Sequence, residues 1–216
     1  MRLKKTLFTL GTTAALIMGS SAQATDNPMS FFVTSVGLGD GANLGGLEGA
    51  DAHCKALSIN AGSGDRDWKA YLSTQEDGKR GVSARDRIGN GPWHNSKGVL
   101  IASNLTELHL YNRTITKENA LDESGNLING RGDKPNRHDI LTGSMDDGTA
   151  YFPWEKKDRT CNNWTSNDEG SAQLGHHDRH GGGNLSWTSA HPSRGCSPKA
   201  LAKTGGDGLF YCFATD

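Results

Sequence analysis

Four cysteines, Cys54, Cys161, Cys196 and Cys212, constrain this chain more than any other feature, because of the compartment that its first residues predict. Arg2, Lys4 and Lys5 make a basic start, Leu7 to Met18 is an apolar run, and Ala22-Gln23-Ala24 has the small-x-small form of a cleavage site. The pattern predicts an export signal over residues 1–24 and a mature fold over residues 25–216. The apolar run is too short to cross a bilayer, and no other stretch approaches its length. A periplasm or the outside medium is therefore the expected location. In either place an even cysteine count reads as two disulfides. Zinc ligation is the rival, but no two of the cysteines have the close spacing that zinc sites favour. Four cysteines permit three pairings, among which the residues do not choose.

Removing 24 of 216 residues leaves 192, the size of one domain. The segment removed holds three basic and no acidic residues, so the formal charge falls from −1 to −4. A mildly acidic chain without a basic run argues against nucleic acid or an anionic membrane as partner. The 29 glycines and low apolar content predict a loop-rich protein with a modest core.

Phe31, Phe32, Val33 and Val36 supply strand formers, and Gly37 to Gly46 interrupts them. Leu47, Ala50, Cys54 and Leu57 then fall on one stripe of a helix. Trp68 to Leu72 alternates as a strand does, with Trp68, Ala70 and Leu72 on one face. Ser83 to Ile88 and Asn104 to Leu110 read as short capped helices. The polar stretches Asp122 to Asp139 and His176 to Asn184 read as surface loops, and Tyr151 to Trp154 and Asn162 to Thr165 as aromatic strand or strand-edge segments. Gly208 to Phe213, apolar on both faces, reads as a buried strand.

The order of landmarks carries a resemblance. Gly49-Ala50-Asp51-Ala52-His53-Cys54 is followed by Trp68-Lys69-Ala70-Tyr71-Leu72-Ser73 and Ala84-Arg85-Asp86-Arg87. Thr142-Gly143-Ser144 comes next with Asp147-Gly148, then Cys161-Asn162-Asn163-Trp164, and finally Cys196 with Leu209-Phe210-Tyr211-Cys212. Over roughly residues 31–213 this resembles the endostatin domain, a variant of the C-type-lectin-like fold, and is similar to secreted bacterial lectin-like proteins. The resemblance implies an α+β domain with a twisted, mainly antiparallel sheet, one or two helices and long loops. It also implies a nested pairing, Cys54–Cys212 outside and Cys161–Cys196 inside. The chain departs from calcium-dependent lectins of that fold in having no Glu-Pro-Asn, Gln-Pro-Asp or Trp-Asn-Asp triplet.

Chemistry concentrates in His176-His177-Asp178-Arg179-His180. Three imidazoles and a carboxylate so close in sequence can hold zinc or a similar ion. Asp146-Asp147 and His138-Asp139 are the candidate pairs for completing such a site from another loop, with Asp146 and Asp147 better suited to calcium. The bland alternatives are a solvated histidine loop and a pair of turn aspartates. Sugar recognition needs amides and carboxylates for hydroxyls and an aromatic face for the C–H side of the ring. Trp187, Asn184, Asn167, Asp168 and Asn163 offer these groups, whereas Trp164, so close to Cys161, is expected in the core. No Gly-x-Ser-x-Gly elbow or His-Glu-x-x-His pair occurs. The expectation is an exported ligand-recognition module, with carbohydrate as the favoured ligand, calcium or zinc as candidate ions and no catalytic residue assigned. Adhesion to an extracellular protein or matrix is the second reading, and a metal-dependent hydrolase built on the histidine loop is the third.

Overall fold

The apolar run near the C-terminus becomes the strand that organises the molecule. In the computed structural model, which describes Met1 and residues 27–181 and 184–216, this strand is Gly206–Ala214, with all but Asp207 buried. The sequence elements are β1 (Phe31–Val33), helix α1 (Gly46–Asn60), β2 (Trp68–Ala70), β3 (Trp93–His94), β4 (Leu100–Ala102), β5 (Asp139–Leu141), β6 (Gln173–His176), β7 (His191–Pro192) and β8 (Gly206–Ala214). The export signal expected over 1–24 lies outside the described residues apart from Met1. Among the described residues no helix is long and apolar enough to cross a membrane.

The main sheet runs β1-β8-β5-β6-β7, with β2 also on β8, and a separate hairpin joins β3 to β4. β1 and β2 pair antiparallel with the second half of β8, through Phe31↔Phe213 and Trp68↔Ala214. β5 runs parallel to the first half, through Asp139↔Gly206 and Leu141↔Phe210. The other pairings, β5 with β6 and β6 with β7, are antiparallel. The protein is thus α+β with a mainly antiparallel sheet and few helices.

Side-chain alternation along the strands divides the core in two. Phe210, Cys212 and Ala214 face one way, joining Phe32, Trp68, Ala70, Leu72, Leu141 and Leu174 against α1. Leu209, Tyr211 and Phe213 face the other way, joining Phe31, Val33, Tyr71 and Ile140 against Trp93, Ile101, Leu108 and Trp187. Burial of each large apolar side chain contributes roughly 1.5–3 kcal/mol. β8 therefore has to be apolar at successive positions, as its sequence is. Helix α1 buries Ala50, Cys54 and Leu57, the stripe its spacing predicts.

Both disulfides are nested. Cys54 on α1 joins Cys212 on β8, and Cys161 joins Cys196, with the Cα atoms of each pair 5.7 Å apart. The outer bridge clamps α1 to the central strand; the inner one closes the segment that carries β6 and β7.

Three local readings of the sequence need correction. Asp122 to Asp139 is not a surface loop throughout: Asp122, Glu123, Ile128, His138 and Asp139 are buried, and the stretch ends in β5. The Glu123 carboxylate accepts hydrogen bonds from the Ser35 backbone N–H and hydroxyl, which pins the segment to the exit of β1. Tyr151 to Trp154 is a turn rather than a strand. Pro153 has no N–H for a ladder and suits the second position of a turn closed by the Glu155 N–H on the Phe152 carbonyl, 2.9 Å away.

The Asn162 to Thr165 segment likewise is no strand. Cys161, Asn162, Asn163 and Trp164 all take left-handed backbone, with φ between 48° and 66°. Asparagine tolerates that region better than most residues. The turn is held from outside: Asn163 exchanges two hydrogen bonds with the Gln75 backbone, and the Asp158 carboxylate accepts from the Thr160 and Asn162 N–H groups. Such strain persists only where its surroundings over-determine it.

Candidate functional site

Two places concentrate chemistry. The first is a groove of about 380 Å³ beside the left-handed turn, within the size range of small-ligand sites. One wall is the turn itself, with Asn162, Asn163, Asp158 and Thr160; the other is the aromatic turn, with Tyr151, Phe152 and Pro153. Gln75, Glu76, Asp77, Glu155, Lys156 and Lys157 complete the lining. Phe152 is 37% exposed and Trp154 71%, and the two rings stack at 4.5 Å with planes only 6° apart. Arg80 lies 4.0 Å above the Phe152 ring centroid, which fixes that ring by cation–π contact. The groove is preformed because its walls are hydrogen-bonded: the Gln75 amide donates to the Lys157 carbonyl and accepts from the Arg159 N–H.

The second place is the end of the main sheet where β5, β6 and β7 meet. Asp139 sits directly opposite His176, and His191 pairs with Leu174, two residues from His176. The period of two therefore puts Asp139, His176 and His191 on one face. His138, just before β5, stacks on His176 with ring centroids 4.3 Å apart. His138, Asp139 and His176 are buried, and each offers one ligand atom within 4.8 Å of the others.

The electrostatics follow from burial and neighbours. Burial opposes ionisation of Asp139, but His176 and His191 outweigh it and hold the carboxyl at about 2. Burial also opposes charge on Asp178, yet His138 and the Arg131 and His180 N–H groups keep that carboxyl well below the usual range. Burial pushes His138 down, while Asp178 and Asp139 more than reverse it, so its net shift is upward. Asp139 raises His191. His177 faces the opposite balance: burial dominates and takes it down to about 4.

The residues expected to act divide sharply. Of the histidine loop, only His176 joins the cluster; the strand ends there, and Arg179 turns the chain with φ 54°. The His177 ring nitrogen contacts the Asn129 carbonyl, Asp178 accepts from Arg131 and His180 backbone, and the His180 side chain is exposed. Gly182 and Gly183 of that loop lie outside the described residues. Asp146 and Asp147 line a separate pocket with Met145, Tyr151 and Ser189, and Asp147 caps its own turn at Thr149.

Of the sugar-binding candidates, Asn163 lines the groove, although its amide is committed to Gln75. Asn167 and Asp168 are exposed outside the groove lining, with Asn167 bonded to Asp40. The Asn184 amide closes its own loop through the Ser189 and Ala190 carbonyls. Trp187 is 3% exposed, against the expectation that its polar neighbours would leave it open. It packs on Tyr71 at 5.0 Å and Tyr211 at 5.3 Å, and its carbonyl oxygen accepts the Tyr211 hydroxyl. A Cβ on Gly175 would collide with that carbonyl, so glycine is what lets the Trp187 segment lie on β6. Trp164 is fully buried, as its place beside Cys161 predicts, and its indole N–H donates to the Ser73 carbonyl.

Sequence reasoning missed His191 and the Phe152–Trp154 platform. His191 carries no local motif, and its role emerges only from strand pairing. The platform had a usable signal, because proline between two aromatics is a turn cue. No protein-family model and no curated protein matches the chain.

Proposed function

We propose that this protein is an exported recognition module of the C-type-lectin-like kind that binds carbohydrate in the groove between the left-handed turn and the aromatic turn. One observation carries the reading: an exposed Trp154 ring, stacked parallel on the groove-lining Phe152, stands beside a preformed groove lined by carboxylate, amide and ammonium groups. A pyranose has an apolar C–H face and a polar hydroxyl rim, and those two surfaces match an aromatic plane and charged or amide walls. The immobilised Asn162–Asn163 backbone supports it further, because preorganised walls reduce the entropy lost on binding. The ordered landmarks and nested bridges support the lectin-like assignment. A hydrolase using His176, His177 and His180 gains no support, since their side chains do not converge.

The test is retention on a glycan array by the oxidised protein beside Trp154→Ala. Trp154 is largely exposed, so its loss leaves thermal stability within about 1 kcal/mol of wild type. We expect at least one glycan class to bind and the variant to lose about tenfold or more in affinity, about 1.4 kcal/mol. A protein that binds no glycan, or a variant that binds equally well, overturns the proposal. Capture of an extracellular matrix protein in the same format, abolished by Trp154→Ala, would move the groove to the adhesion reading.

A further inference from the structure

The geometry points to a second, independent site: we infer that His138, Asp139, His176 and His191 bind one divalent transition-metal ion of the zinc type, in a closed centre that fastens β5, β6 and β7 together. Asp139 Oδ1 lies 3.1 Å from His138 Nε2, 3.2 Å from His176 Nε2 and 3.5 Å from His191 Nε2. The Nε2 atoms of His176 and His191 are 3.0 Å apart. An ion with bonds of about 2.0–2.1 Å to four tetrahedral ligands holds those ligands about 3.3 Å from one another. These separations, between 3.0 and 3.5 Å, match four of the six edges expected around such an ion.

A cluster held only by hydrogen bonds fits less well. Asp139 Oδ1 stands at hydrogen-bonding distance from two imidazoles, yet neither it nor Oδ2 has an aligned hydrogen-bond partner among the described residues. The side chain is fully buried. The imidazoles and Thr204 keep the carboxylate charged by proximity, and a cation among them would add the direct bonds that their alignment does not supply.

At His138 and His191 the outer shell has the form metal sites use, whereas His176 Nδ1 has no hydrogen-bond partner among the described residues. Ligating histidines present their second ring nitrogen to a carboxylate or carbonyl, which sets tautomer and orientation. His138 Nδ1 faces Asp178 Oδ1 at 3.6 Å, and His191 Nδ1 faces the Pro192 carbonyl at 3.1 Å. Asp178 is itself oriented by the Arg131 and His180 N–H groups, at 2.6 and 3.1 Å. Three imidazoles and one carboxylate select zinc and its neighbours over calcium, which prefers six or more oxygens. His138, Asp139 and His176 already converge within 4.8 Å, and His191, 3.0 Å from His176, is the side chain placed to take the fourth position; with it the tetrahedron closes and the ion is structural.

The experiment uses the tag-free, oxidised full chain, stripped with chelator and then titrated with zinc or cobalt chloride. One zinc per chain should survive desalting, and cobalt should show the intense visible bands of a four-coordinate ion. His191 is the half-exposed ligand, so His191→Ala should fold and bind zinc at least about tenfold more weakly. Asp178→Asn should weaken binding by about 10–100-fold through the outer shell. His180→Ala, at an exposed side chain outside the cluster, should keep wild-type stoichiometry. Absence of retained zinc in the wild type, weak six-coordinate cobalt bands, or undiminished zinc in His191→Ala would each overturn the inference. None of these outcomes bears on glycan retention through Trp154, so the two proposals fail separately.

Discussion

Removing the inner disulfide is a quantitative test of how this glycine-rich fold is held. Cys161 and Cys196 are fully buried, and the bridge closes a segment of 35 residues that contains β6 and β7. In the chain-entropy treatment, cross-linking residues at that separation removes about 4 kcal/mol of freedom from the unfolded state. The appropriate variant is Cys161→Ala/Cys196→Ala, because serine would place an unpaired hydroxyl in the core. Domains of this size lose roughly 2–4 °C of Tm per kcal/mol, so the double variant should melt about 8–16 °C lower. Urea unfolding followed by indole fluorescence is a suitable assay, since Trp164 is buried beside Cys161 and its environment changes on opening. Because the bridge acts on the unfolded ensemble, the variant should also show a larger m value, its denatured chain being less compact. The expected result is a loss of 3–4 kcal/mol, roughly, with m increased. A loss under about 1 kcal/mol with m unchanged would refute this reasoning. It would mean that the Asn163–Gln75 and Asp158 contacts already hold the turn.

Two further outcomes are expected. Trp187→Ala should destabilise by about 3–5 kcal/mol, the range for removing a large buried aromatic, whatever it does to ligand binding; a loss below about 1 kcal/mol in denaturant melts would place the indole outside the core. His177 should make the metal-free protein acid-sensitive. Its folded pKa of about 4 lies below the unfolded value near 6.5, so the unfolded state takes up the proton first as pH falls. Stability is complete above about pH 6.5 and declines towards pH 4, by up to about 3 kcal/mol. Asp178 and the Asn129 carbonyl face His177 and favour its charge, while His138 and Lys117 oppose it. His138 and His191, both shifted upward, act in the reverse sense, adding stability below pH 6.5 that is lost as pH rises. The comparison with His177→Asn in chelator isolates the effect, and identical pH slopes for the two proteins would remove it.

What could be read from the residues depended on whether the information was local. The α1 stripe, the Trp68–Leu72 alternation and the doubly apolar β8 are periodic signals, and each matches an element. The cysteine count gave two bridges, and the pairing observed is the one the endostatin resemblance implies. The candidate metal centre was only half visible. His138-Asp139 and His176 stood out as dense chemistry, but their convergence requires β5 to pair with β6, a register that the short β5, Asp139–Leu141, barely announces. His191 joins from β7, where nothing local marks it. Polar flanks misled in the case of Trp187, because an aromatic ring in a glycine-rich segment can be the anchor that buries the segment. The two consecutive asparagines at 162 and 163 were read as strand edge, although that pair is itself a cue for left-handed backbone.

The position of β8 in the chain bears on how the molecule is made. It is the last strand in order, yet β1, β2 and β5 all take their hydrogen-bond partners from it, and it carries Cys212. A chain that emerges from a ribosome N-terminus first cannot place β1, β2 or α1 on the main sheet until residues 206–214 arrive. The pairings of β1, β2 and β5 with β8 all span long stretches of chain, which slows folding. The N-terminal strands and Cys54 must therefore wait for the last residues, while Cys161 and Cys196 can already pair. Oxidation of Cys54 with Cys212 then marks the end of assembly rather than a step along it.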